Sequence, residues 1–236
     1  MTVTADTPVG TLATAYPATI KVFQQYGIDF CCGGAMAVRE ACGGHDAPLA
    51  NVIADLNAAL GDHEPDAGPD WRLAPMSDLI AHVIATYHVP QRQEFARLED
   101  MLQTVLRVHG DHWPQMLGAV ANTFRTLRAE AEVHTRDEEE HVFPAMAELD
   151  RQPHAGADAL DPLLDDLERE HIVMGALLAD LTWHTHGFEA PADACATFQG
   201  LFHGLHALAD DLKQHVALEN HVLFPRAAAL ARTARR

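Results

Sequence analysis

Apolar residues recur every three to four positions along four long stretches: Met76 to Leu106, Met116 to Met146, Leu160 to Leu181 and Ala192 to Leu230. That spacing lays an apolar stripe along one side of a helix, and each stretch is long enough for a bundle helix. The interruptions carry stop-and-start chemistry: His109-Gly-Asp-His-Trp-Pro114, Arg151-Gln-Pro-His-Ala-Gly156 and Gly187-Phe-Glu-Ala-Pro191. Ser77, and Asp161 just before Pro162, are the expected N-caps. Period-two alternation is nearly absent. Short loops between long helices make neighbours antiparallel, so the predicted fold is all-α, an up-down four-helix bundle.

Ahead of the bundle the pattern is weaker. Ala18 to Tyr26, Ala35 to Ala41 and Leu49 to Leu60 read as short helices, punctuated by Gly27, Gly33-Gly34 and Gly43-Gly44. Gly61 to Asp70 reads as a linker. The predicted division is therefore a small helical domain over residues 1–65 and a bundle over residues 66–236. A unit this small buries too little surface to be robust alone. It is expected to pack on the bundle or on a second subunit, and a homodimer is the expected assembly.

Charge narrows the partners. The 236 residues hold 16 Lys and Arg against 34 Asp and Glu, a formal net charge of −18. That sign argues against nucleic acid and anionic membrane surfaces and favours cations. No apolar run approaches the ~20 residues that span a bilayer. The start of the chain lacks the basic and apolar regions of a signal peptide, so a cytoplasmic location is expected. Four cysteines, Cys31, Cys32, Cys42 and Cys195, are too few for a disulfide framework, and adjacent cysteines lack the spacing of a structural zinc site.

The chemistry lies in a repeat. His134 and Glu138 are followed by Phe143-Pro144, and His215 and Glu219 by Phe224-Pro225. Residues four apart share one helix face, so each pair presents an imidazole and a carboxylate to one point. His88 precedes His134 by 46 positions and His171 precedes His215 by 44, which makes two half-sites of two helices each. Together they supply His88, His134, Glu138, His171, His215 and Glu219. Bundle cores host such sites, and nitrogen and oxygen donors with open positions suit non-haem iron, with manganese as the alternative. Glu130, one turn before His134, and Glu170, next to His171, are expected to support these ligands or to line a polar access path.

Several of these segments carry a resemblance. Asp29-Phe-Cys-Cys-Gly-Gly34, Tyr87-His88, the two His-x-x-x-Glu pairs with their Phe-Pro flanks, Glu170-His171 and Asn220 together resemble the repair-of-iron-centres family. It covers roughly residues 7 to 228. The resemblance implies a hemerythrin-like bundle, an oxo- or hydroxo-bridged pair of irons on the same six residues, and Glu130 and Glu170 beside them. It also implies a double-cysteine N-terminal domain and repair of iron–sulfur clusters damaged by nitric oxide or oxidants. Damaged iron–sulfur proteins are the expected partners, with nitric oxide or dioxygen as small ligands. Iron donation and reduction of nitric oxide are both compatible, so enzymatic activity stays open. The alternatives are reversible dioxygen binding and an iron-sensing module.

Blander readings compete at individual residues. Glu138-x-x-His141 and Glu168-x-x-His171 have the spacing of ferritin-type ligands, but Glu219 and His221 are two apart and break that pattern. His221 is expected at the surface or beside the ligands. The remaining histidines are expected in solvent, as is the acidic run Asp137 to Glu140 except for Glu138. Cys31 and Cys32 are candidates for iron transfer or thiol exchange, and Cys42 and Cys195 for inert thiols.

Overall fold

The computed structural model describes residues 2–43, 47–61, 69–151 and 157–234. Among them there is no strand; one antiparallel bridge pairs Pro8 with Ala37. The N-terminal part holds α1 (Val9–Ala15), α2 (Ile20–Gln25), α3 (Val38–Gly43) and α4 (Leu49–Gly61). The first of these was not foreseen, being barely two turns of small and apolar residues. Most of the anticipated linker and part of the break after Arg151 lie outside the described residues.

Four rods make the bundle. The first joins α5 (Met76–Val83) to α6 (Val89–His109), and the second joins α7 (Pro114–Asp137) to α8 (Phe143–Arg151). The third is α9 (Ala157–His184) and the fourth joins α10 (Ala196–Leu218) to α11 (Phe224–Ala234). Rods one and two, two and three, three and four, and four and one are neighbours, so the first and third lie across a diagonal from each other, as do the second and fourth. Neither expected cap holds. Pro75 occupies the N-cap of α5, leaving Ser77 inside the helix. Asp161 also lies inside, because α9 begins at Ala157 and carries Pro162 in its second turn.

Three of the rods contain a wide π-turn at the same offset from a proline. Ile84–His88 precedes Pro90, Glu138–Val142 precedes Pro144, and Glu219–Leu223 precedes Pro225. Proline has no N–H for the carbonyl four residues back, and its ring collides with that carbonyl. Widening the turn by one residue relieves both problems without ending the rod. His88, Glu138 and Glu219 sit in these turns.

The apolar interior is divided at that level. One cluster gathers Phe95, Leu98, Phe124, Leu127, Met174, Phe202 and Leu212 toward one end of the bundle. The other gathers Met76, Val83, Val142, Phe143, Leu167, Leu223 and Phe224 toward the opposite end. On every rod the polar candidates fall between them. The N-terminal unit closes a third cluster around Phe23, Phe30, Val38 and Leu56, which takes in Val216 and Ala217 of α10. The small unit thus finds its cover within the same chain.

Candidate metal centre

Between the two apolar clusters, His88, His134, Glu138, His171, His215 and Glu219 come together, each no more than 2% exposed. They form two groups that share both carboxylates. One is His88, His215, Glu138 and Glu219; the other is His134, His171, Glu138 and Glu219. The carboxylates come from diagonally opposed rods, and each half takes its imidazoles from two adjacent rods. Glu138 Oε2 lies 3.4 Å from the Nε2 atoms of both His88 and His134. Glu219 reaches His215 Nε2 at 2.9 Å through one oxygen and His171 Nε2 at 3.3 Å through the other.

The outer nitrogens fix the orientation of the rings. His88 Nδ1 donates to Glu139 at 2.8 Å, His134 Nδ1 to Glu170 at 2.7 Å and His171 Nδ1 to Asn220 Oδ1 at 2.8 Å. Each such bond commits the ring's proton outward and turns a bare Nε2 inward. His134 and His171 therefore point two lone pairs at each other across 2.9 Å. Only a proton or a cation between them removes that repulsion. His88 and His215 approach as closely, 3.0 Å between Nε2 atoms.

The carboxylates make the same demand. Both oxygens of Glu138 and Oε2 of Glu219 are buried without a hydrogen-bond partner. Leaving such groups unsatisfied costs on the order of several kcal/mol. Burial and the facing charge of Glu219 push the Glu138 carboxyl well above its usual range. Burial also acts against Glu219, but His215, His171 and His88 outweigh it and hold this group well below. Two like charges in one dry space cannot both persist without cations. The donor set thus fits two metal ions sharing two carboxylates, with oxygen and nitrogen donors and room for further ligands.

Aromatic rings wall the site and explain the repeated Phe-Pro flanks. Phe143 stacks on His88 with centroids 5.7 Å apart, and Phe224 stacks on His171 at the same separation. Tyr87 covers His215 at 5.2 Å.

Several residues stand elsewhere than the sequence suggested. His141 is exposed and pairs with Asp137 at 2.9 Å, which removes the ferritin-type reading. His221 is neither at the surface nor beside the ligands. Its Nε2 donates to the Phe30 carbonyl at 3.0 Å, and its ring fills the space over Gly10 and Gly34, pinning the double-cysteine loop to α10's extension. Glu139 is not merely solvated, since it accepts from both His88 and Arg92. Glu170 supports His134. Glu130 is exposed and shares with Glu170 a shallow depression of about 350 Å³. Asn220 went unassigned although it occurs in the motif: it accepts from His171 and donates to the Cys31 carbonyl at 3.2 Å.

Burial lowers the His215 imidazole from 6.5 to about 4. A depressed value means that the unfolded chain takes up this proton first as acid is added. Stability of the metal-free protein is therefore expected to be full above pH 6.5 and to fall between pH 6.5 and about 4, by about 3 kcal/mol from this group. Denaturant midpoints across that range check it; a flat profile would contradict the assignment.

A helical bundle with a buried layer of four imidazoles and two carboxylates defines a hemerythrin-like cation-binding protein, and residues 79–227 match the hemerythrin HHE cation binding domain. Residues 5–60 match ScdA_N, a domain of unknown function. The iron–sulfur cluster repair protein YtfE of Edwardsiella ictaluri is 35% identical over 222 residues, 94% of this chain and 96% of that protein. Its counterparts in Salmonella paratyphi B and Salmonella newport are 33% identical over 224 residues, 95% of this chain and 97% of theirs. The chain belongs to the family of iron–sulfur cluster repair proteins YtfE. No helix among the described residues is long and apolar enough to cross a membrane.

Proposed function

We propose that His88, His134, Glu138, His171, His215 and Glu219 hold two non-haem iron ions, and that the protein restores iron–sulfur clusters damaged by nitric oxide or oxidants. The observation that carries this reading is the pair of half-sites sharing Glu138 and Glu219. An imidazole-rich set with unfilled positions suits iron better than a closed tetrahedral zinc site. The names of the relatives favour cluster repair over dioxygen carriage. When bound, the irons would supply redox capacity and open positions for nitric oxide or dioxygen.

The chain's own residues prepare that centre. Glu139, Glu170 and Asn220 hold three imidazoles with Nε2 inward, while Phe143, Phe224 and Tyr87 keep water from the rings. Glu130 and Glu170 line the access path for small ligands at the surface depression. Residues 1–65 serve as the thiol-bearing unit and residues 66–236 as the metal-holding unit. Damaged iron–sulfur proteins in the cytoplasm are the clients.

Elemental analysis of purified protein is expected to give two irons per chain, and the loaded protein to restore activity to a dehydratase whose cluster nitric oxide has damaged. Two manganese ions per chain would overturn the choice of metal. Unaltered release of bound dioxygen without repair would replace this reading with gas carriage. Undiminished repair after exchange of iron for an inert metal would reduce the centre to a fold-stabilising role.

A further inference from the structure

We propose that Asp29, Cys31 and Cys32 form a second metal site, separate from the imidazole–carboxylate layer, that takes one ferrous ion as cargo. The inference deepens the repair reading and rests on it for the identity of the ion.

Neighbouring residues on an extended chain point their side chains to opposite sides, so adjacent cysteines seldom chelate. Asp29 overrides that here. Its Oδ1 accepts the backbone N–H groups of Cys31 at 2.9 Å and Cys32 at 3.0 Å, and its Oδ2 accepts that of Gly33 at 3.0 Å. The loop curls around the carboxylate and brings the two sulfurs to 3.6 Å. Two thiolates bound at the usual ~2.3 Å in tetrahedral geometry stand about 3.8 Å apart. The bite is thus preset. One oxygen of Asp29 and both sulfurs lie within 4.8 Å of one another, and both cysteines are free thiols.

The surroundings leave the remaining coordination positions open. All three side chains line a cavity of about 500 Å³ between the N-terminal unit and the rods of α9 and α10, with Ile172, Phe188 and Lys213 among its other walls. Two thiolates and one carboxylate make a soft, three-donor set that suits ferrous iron and can surrender it to an incoming thiolate. Binding releases both thiol protons to solvent and replaces the bond from Cys31 Sγ to Asp29, now 3.2 Å, by sulfur–metal bonds; no electron moves. The site adjoins the buried centre. Cys32 Sγ lies 3.6 Å from the His171 carbonyl, and Asn220 joins the Cys31 carbonyl to the His171 ring.

The test uses full-length protein carrying Cys42→Ser and Cys195→Ser, with the buried layer first loaded and its two ions counted by elemental analysis. Anaerobic titration with Co²⁺ as the probe is expected to add one ion per chain, with a thiolate-to-cobalt charge-transfer band. Adding Cys31→Ser and Cys32→Ser is expected to abolish the band and leave the count in the buried layer at two. Asp29→Asn, which keeps the oxygen that accepts from Cys31 and Cys32 but loses the charge and the acceptor for Gly33, is expected to weaken cobalt binding about tenfold with the band retained. No band in the parent protein, or a band that survives loss of both thiols, overturns the second site. One added ion with the thiolate band, while the buried layer holds fewer than two, would support the second site and refute the di-iron reading instead.

Discussion

Replacing Glu138 or Glu219 by alanine is expected to lower the metal content from two ions per chain to less than one. Each carboxylate belongs to both halves of the layer, so neither ion can be lost alone. Without Glu138, the first and second rods offer only His88 and His134, whose Nε2 atoms otherwise lie 3.4 Å from its Oε2. Two nitrogens and one remaining carboxylate hold a divalent ion far more weakly than a shared pair does. His221→Ala serves as the control: it removes a half-buried imidazole from the rod of Glu219 but no inward donor, so the count stays at two. Elemental analysis of the three variants decides the matter. An undiminished count in either glutamate variant would show that the carboxylate does not bridge.

Gly34→Ala is expected to detach the N-terminal unit, at a cost of about 3 kcal/mol. A Cβ at this position would stand 2.1 Å from His221 Nε2 and 2.9 Å from the Cα of Gly10. The ring cannot swing aside freely, because its Nε2 is bound to the Phe30 carbonyl, and the Gly10 backbone cannot yield at all without moving α1. Gly10 N–H also donates to the Gly34 carbonyl at 2.8 Å, so both contacts fail together. The expected readout is rapid proteolytic cleavage within residues 2–61 while the bundle retains its metal. Adding His221→Ala should restore only part of the resistance, since the clash with Gly10 remains. Unchanged cleavage would mean that the contact through His221 does not govern docking and that others, such as those of Val216, Ala217 and Asn220, hold the two parts together.

The rods and four of the six converging side chains were legible through short-range periodicity; His88 and His171 followed from the half-repeat and the resemblance, but the half-repeat grouped them with the wrong imidazoles, since His88 joins His215 and His171 joins His134. An imidazole and a carboxylate four apart must share a face, and the duplicated flanks showed that the pattern was no accident. What the sequence concealed depends on contacts between distant segments. Glu139 sits in an acidic run whose outward appearance holds for Asp137 and Glu140; only the arrival of His88 from another rod gives Glu139 a task. Asn220 and His221 differ from surface residues only through the loop at residues 29–34, which no local pattern places against α10. The caps failed for a nearer reason. Pro75 opens α5 and tolerates the N-cap geometry, and α9 starts earlier than its apolar stripe suggested. The Phe-Pro flanks were visible as a repeat but unexplained until the phenylalanines proved to stack on the imidazoles.

The wide turns before Pro90, Pro144 and Pro225 each amount to one residue added to an otherwise regular helix. One helical residue corresponds to about 100° of rotation about the axis. Each wide turn absorbs that rotation, so excising its extra position would leave the segment beyond in phase, but it would press the proline ring back against the carbonyl four residues earlier and displace the ligand held in the turn. Sequence drift in this fold should then accept substitutions readily on the outer faces, yet reject deletions at these three points.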